Sequence, residues 1–80
     1  MKANVYVTLK QEVLDPQGDA VRRALGALGF DDVKRVRVGK LIEIDLEGAD
    51  EAAAKEELAS MCEKLLANPV IEDFRFELEK

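Results

Sequence analysis

Residues 35–46 read Arg35-Val36-Arg37-Val38-Gly39-Lys40-Leu41-Ile42-Glu43-Ile44-Asp45-Leu46, and this stretch decides the fold. Side chains alternate between faces along a strand, so Val36 and Val38 look one way and Arg35 and Arg37 the other. Ile42, Ile44 and Leu46 repeat the pattern against Glu43, Asp45 and Glu47. Gly39-Lys40 suits a two-residue hairpin turn. That turn would set Arg37 beside Ile42 and mix the two faces. A three-residue loop, 39–41, or a bulge with the same effect, pairs Val38 with Ile42 and Val36 with Ile44. It also sets Arg37 opposite Glu43 and Arg35 opposite Asp45, which are favourable cross-strand pairs. The expectation is a hairpin of two strands at the centre of the chain.

Toward the N-terminus, Ala3, Val5, Val7 and Leu9 alternate with Lys2, Asn4, Tyr6, Thr8 and Lys10, a half-buried strand. Asp15 is a good N-cap and Pro16 suits the first helical position. Val21, Ala24, Leu25 and Leu28 follow at helical spacing, and Gly29 fits the left-handed residue that ends a helix, with Phe30 folding back on its last turn. A helix is expected over roughly 16–28. Toward the C-terminus, Asp50 caps a second helix with Glu51 in its first turn, where the helix dipole favours negative charge. Ala54, Leu58, Met61, Cys62 and Leu65 form its expected buried stripe, and Asn68-Pro69 ends it. Val70 to about Leu78 reads as the last strand, with Phe74, Phe76 and Leu78 facing the core.

The order β-α-β-β-α-β is that of the ferredoxin-like α+β fold: a four-stranded antiparallel sheet with two helices on one face. The other face would carry Tyr6, Thr8, Arg35, Arg37, Glu43, Asp45 and Arg75, a polar surface suited to a wet interface. The 80 residues make a single domain. A chain this short buries only about 60–65% of its unfolded surface, so association would help it. Self-association is expected to use both the edge strands and the uncovered sheet face.

The formal net charge of −5 argues against nucleic acid, which calls for a basic face. Tyr6 is the only aromatic on the open face, too few for stacking RNA bases. No apolar run approaches the roughly 20 residues that span a bilayer. A strand pattern that begins at once leaves no room for a signal peptide, and the lone Cys62 forms no internal disulfide, so the expected compartment is the cytoplasm.

Catalytic chemistry is poorly represented. The chain contains no histidine, the commonest general base and metal ligand. Ser60 and Cys62 lie in the second helix with no base to activate them, and Cys62 falls on the apolar stripe. There is no Gly-rich phosphate loop. No catalytic residue and no metal site are expected. Three turn segments are left over: Lys10 with Asp15-Pro16-Gln17-Gly18; Arg37 with Gly39-Lys40; and Asn68 to Glu72. Each residue also has a plain structural reading, since Asp15 and Asn68 cap, Pro16 starts a helix and Gly39 turns.

Taken together, Leu9-Lys10, Val13-Leu14-Asp15-Pro16-Gln17-Gly18, Leu28-Gly29-Phe30, Val36-Arg37-Val38-Gly39-Lys40 and Leu65-Leu66-Ala67-Asn68-Pro69-Val70-Ile71-Glu72 resemble the PurS family. These are the small subunits of phosphoribosylformylglycinamidine (FGAM) synthase in purine biosynthesis. The resemblance covers essentially the whole chain, and its specific parts are 13–18 and 65–72. It implies a role in converting formylglycinamide ribonucleotide, ATP and glutamine to FGAM, ADP, phosphate and glutamate. A glutaminase, PurQ, would release ammonia and a synthetase, PurL, would use it. The small subunit would bridge them and assist ammonia transfer. It implies a homodimer, which can assemble into a dimer of dimers when alone. ATP and magnesium would be used by the complex, with no cofactor bound by this chain alone. Lys10, Asp15, Gln17, Gly18, Arg37, Gly39, Lys40, Asn68 and Glu72 are the expected subunit contacts. A free-standing ferredoxin-like regulatory module, binding a small ligand at a dimer interface, is the alternative reading.

Overall fold

The computed structural model describes residues 1–48 and 50–79. Its elements are β1 (Lys2–Leu9), α1 (Pro16–Ala27), β2 (Gly39–Asp45), α2 (Glu51–Met61), a π-helical turn (Cys62–Leu66) and β3 (Glu72–Glu79). β1 lies at the centre of an antiparallel sheet of order β2-β1-β3. Its alternation places Ala3 and Val5 at 0% exposure and Val7 at 1%. They pair with Ile44, Ile42 and Lys40 on one side and with Leu78, Phe76 and Phe74 on the other. Leu58 and Cys62 close over them from α2 and the π-turn. This single apolar layer is the core.

The α+β class and the antiparallel sheet agree with expectation, but the four-stranded ferredoxin-like sheet does not. Among the described residues the sheet has three strands. Residues 35–38 form no ladder, and Gly39 and Lys40 are the first residues of β2, opposite Thr8 and Val7. The expected hairpin is therefore absent: the ladder partner of Ile42 is Val5, not Val38. The physical reason is that 35–38 spends its hydrogen bonds elsewhere. The Val38 amide donates to the Asp15 carboxylate, and the two arginines reach backbone carbonyls of the 9–13 segment. Arg35 and Arg37 accordingly do not stand on the open sheet face.

The apolar stripe of α2 also departs from expectation. Ala54, Leu58 and Cys62 are buried, but Leu65 is 83% exposed. The Ala67 amide bonds the Cys62 carbonyl five residues back, at 3.0 Å. A π-turn holds more residues per turn than an α-helix. The side chain that reaches the core is therefore Leu66, one residue later.

α1 forms for the reasons read from its sequence. Asp15 accepts the Gly18 amide at 2.9 Å and Pro16 occupies the first turn. Gly29, at φ 99°, ends the helix, with the Phe30 amide on the Leu25 carbonyl and the Gly29 amide on the Gly26 carbonyl. Yet none of its side chains joins the core, and Gly18 is its one buried residue. The helix projects from the sheet as an arm. The radius of gyration is 16.0 Å and the extents are 48 × 26 × 14 Å. A compact chain of this length would have a radius of gyration near about 12 Å.

Candidate functional site

β1 ends and β2 and β3 begin at the same end of the sheet: Thr8 lies opposite Gly39 and Asp73, and Leu9 lies opposite Glu72. The three leftover turn segments therefore meet there, and all nine expected contact residues fall around this one end.

Asp15 is the hub. The residue is 5% exposed, and its carboxylate accepts the amides of Gly18 at 2.9 Å and Val38 at 2.8 Å. These two bonds, with the neighbouring Arg37 charge, hold its pKa below the ordinary carboxylate value. Gly18 leaves no room for a side chain, because a Cβ there would run into the Val36 carbonyl oxygen. The Arg37 guanidinium donates to the carbonyls of Lys10 at 2.9 Å and Val13 at 3.0 Å, with a longer contact to Leu9. Arg35 bonds the Gln11 side chain at 2.7 Å and its carbonyl at 3.2 Å. Together these contacts form a polar clasp that ties the two ends of the arm, 9–15 and 35–38, to each other where the chain leaves and re-enters the sheet.

A second set of contacts fixes the 67–72 turn. The Glu72 carboxylate accepts the Asn68 amide at 2.7 Å with one oxygen and meets the Lys40 ammonium at 3.9 Å with the other. Asn68 in turn accepts the Val70 amide on its side chain and the Glu72 amide on its carbonyl. The Lys10 amide joins this turn to the first loop through the Ile71 carbonyl, at 2.8 Å. Glu72 is also a wall between two clefts. One, of about 270 Å³, has Asp15, Gln17, Gly39 and Lys40 in its lining. The other, of about 590 Å³, has Lys10, Cys62, Ala67 and Phe74 in its lining.

The geometry separates the nine residues by task. Asp15, Gly18, Arg37, Gly39, Asn68 and Glu72 are committed to shaping the backbone, Gly39 because a Cβ there would run into the Val7 carbonyl oxygen. Lys10 and Gln17 make no side-chain hydrogen bond with described residues, and Lys40 makes only its long ion pair. Burial and the Glu63 charge raise the Cys62 pKa, which keeps the thiol protonated and unreactive near neutrality. Sequence reasoning missed the part played by Arg35 and Gln11. The only signal for it was a pair of arginines on one side of a short extended segment, which strand pairing explained equally well. Among the described residues, no helix is long and apolar enough to cross a membrane.

The family model for PurS, phosphoribosylformylglycinamidine (FGAM) synthase, matches residues 2–80. The PurS subunit of Synechocystis sp. is 54% identical over 92% of this chain and 74% of its own length. That of Methanocaldococcus jannaschii is 51% identical over 99% of this chain and 95% of its own. The crystal structure of the M. jannaschii protein, one of the subunits of formylglycinamide ribonucleotide amidotransferase, superposes with a TM-score of 0.88 at 49% identity, covering 99% of this chain and 95% of that one. A chain of the PurLQS structure from Thermotoga maritima matches with a TM-score of 0.86 at 33% identity, covering 95% and 93%. These matches favour a subunit of a synthase over a free-standing ligand-binding module. The chain belongs to the PurS family, the small subunits of FGAM synthase in purine biosynthesis.

Proposed function

We propose that this chain is the accessory subunit that joins a PurQ glutaminase to a PurL synthetase, supplying contacts and no catalytic group. Ammonia released at one site and consumed at another is easily protonated or lost to water, so a scaffold that excludes water between the sites raises the yield of the second reaction. ATP and magnesium belong to the synthetase in this reading, and the compartment is the cytoplasm. The observation that carries the proposal is the arm. A family member that closes the base of its arm with a clasp, yet leaves the helix on that arm uncovered, is built to be completed by other chains.

The first of these chains is a second copy. Val21, Leu28 and Phe30 are exposed along and beyond α1, Leu28 by 73%. The core face of the sheet is covered by α2 and the π-turn alone among the described elements, leaving Ile42, Ile44, Phe74 and Phe76 half-buried. Among the described residues, the outer edge of β2 has no strand beside it, and the ferredoxin-like plan has a fourth strand at that position. In a homodimer the arm of one copy covers the bare part of the other's sheet, and the free β2 edge gains its missing neighbour. Charge supports the exchange. Between Pro16 and Lys40 lie six basic and three acidic side chains, while the rest of the chain has six basic and fourteen acidic. A basic arm thus meets an acidic body.

Reconstitution tests the proposal. With PurL and PurQ, glutamine-dependent FGAM synthesis should require this chain, while ammonia-dependent synthesis by the synthetase should not. Full glutamine-dependent activity without the chain would refute the bridging role. Sedimentation at micromolar concentration should give a dimer for the native chain and a monomer for Val21→Lys/Leu28→Lys; a native monomer would remove the dimer from the proposal.

A further inference from the structure

Among the described residues, no element covers the face of the sheet opposite α2. Its register brings together Lys2, Asn4, Tyr6 and Thr8 of β1 with Leu41, Glu43 and Asp45 of β2 and Asp73, Arg75, Glu77 and Glu79 of β3. Five carboxylates thus face two cations, and both cations are already engaged. Lys2 meets Glu43 at 3.5 Å. Arg75 meets Glu77 at 2.9 Å and stacks on the Tyr6 ring, 3.9 Å from its centroid. Among the described residues, Asp45, Asp73 and Glu79 have no cation of their own on this face.

In the middle strand, directly between Glu43 and Glu77, stands Asn4. It is 9% exposed, and its side-chain oxygen has no hydrogen-bond partner. Its amide nitrogen donates to the Glu79 carboxylate at 3.3 Å. That bond fixes which way the amide points, since a flip would set oxygen against carboxylate. A buried acceptor without a donor costs about 1–3 kcal/mol. A shallow dent of about 120 Å³, bordered by Tyr6, Thr8, Asp73 and Arg75, opens on the same face.

We infer that this face is a contact surface for a cationic segment of a large partner subunit, with Asn4 accepting from it and the unpaired carboxylates setting its charge. The inference rests on the accessory-subunit reading and adds to it a face and the chemistry of the segment that covers it. The arm is the alternative source of cations within the chain, but its apolar side chains call for the core face, not this one. What fits here is a strand or loop with arginine or lysine side chains, attracted by the net negative charge and held by donors.

The test titrates the chain into PurL and PurQ while following both glutamine-dependent turnover and binding to each immobilised subunit. The charge-reversed variant Asp45→Lys/Glu79→Lys should raise the half-saturating concentration at least about tenfold and flatten its dependence on salt. Asn4→Val should weaken binding while leaving the urea midpoint unchanged or raised, because the substitution removes an unpaired polar group. A purely structural Asn4 would do the reverse. Both variants saturating at the native concentration with the native salt dependence would overturn the inference. So would a native saturation curve accompanied by loss of association between dimers, since the occupant would then be a second copy. Binding that is salt-dependent and variant-sensitive without stimulation of turnover would refute the accessory role and leave the surface standing; a native chain that binds neither subunit would refute both.

Discussion

In the body of this chain, Ala3, Val5 and Val7 lie under Leu58 and Cys62, and each of these side chains is at or near zero exposure. In the arm, residues 10–38, only Asp15 and Gly18 are buried, and both serve the clasp. Apolar packing therefore holds the body, while hydrogen bonds, one carboxylate and two guanidinium groups hold the arm. The body's contacts are cooperative and short of solvent. Those of the arm are few, local and partly exposed, which places it at the low-stability end of the molecule. Such a division suits a subunit whose body must stay folded while its arm finds a partner.

Leu58→Ala should produce the largest loss. It removes a fully buried side chain from the only apolar layer, at a cost of about 3 kcal/mol. For a domain of this size that lowers Tm by more than about 10 °C. Thermal unfolding followed by circular dichroism measures it. A smaller loss than that of any arm variant would break the contrast between the two regions.

Gly18→Ala should act on the arm alone. The added Cβ collides with the Val36 carbonyl oxygen, so the start of α1 must move away from 36–38 and the bonds to Asp15 weaken. Hydrogen exchange should speed up over 16–38 and stay slow in β1, α2 and β3. Equal acceleration in all segments would mean that arm and body unfold together. Glutamine-dependent activity in the reconstituted complex should fall with the arm, while the body's Tm drops by a few degrees at most, about 5 °C.

Acid should find the same boundary. The Asp15 carboxyl is held below its ordinary value of 3.8, by the Gly18 and Val38 amides first and by Arg37 after them. A lowered folded pKa stabilises the fold fully above the unfolded value and loses that contribution as pH falls through the folded one. Loosening of 16–38 should therefore set in below about pH 4 and be absent at pH 6. Asp15→Asn should reproduce the acid form at neutral pH, and an arm that stays closed in this variant would show that the amide bonds to Asp15 are not what holds it.

Much of this was legible in the sequence. Asp15, Pro16, Gly29 and Asp50 punctuate the helices as their chemistry requires, and the alternation in 2–9, 42–46 and 74–78 gives the correct inner faces. The failures share one cause. Alternation reports an extended backbone with two unlike sides, not what that backbone is bonded to. Arg35-Val36-Arg37-Val38 is extended, but its polar side grips carbonyls of the 9–13 segment instead of acids on a neighbouring strand. Likewise, the stripe of α1 is amphipathic but carries no label saying whose core it faces. The nine contact candidates came from the family resemblance, on turn segments that pattern left unexplained, and they converge because three loops meet at one end of the sheet. The clasp was not legible, because its acceptors are mainly backbone carbonyls, which every residue has.

The end of α2 allows the finest comparison, between two adjacent residues of one type. Helical spacing from Leu58 and Cys62 points to Leu65 as the next core residue, but the π-turn hands that position to Leu66. Leu65→Ala should lower the unfolding free energy read from urea titration by less than about 0.5 kcal/mol, as an exposed side chain does. Leu66→Ala, half-buried against the core, should cost about 1–2 kcal/mol, a partial form of a core truncation. The order of the two losses matters more than their size. If Leu65→Ala proves the costlier in the isolated chain, then α2 continues as an ordinary helix and the turn at 62–66 does not set its phase. If the expected order holds, one extra residue in a turn is what places Ala67 and Asn68 beneath Glu72 and so fixes the wall between the two clefts.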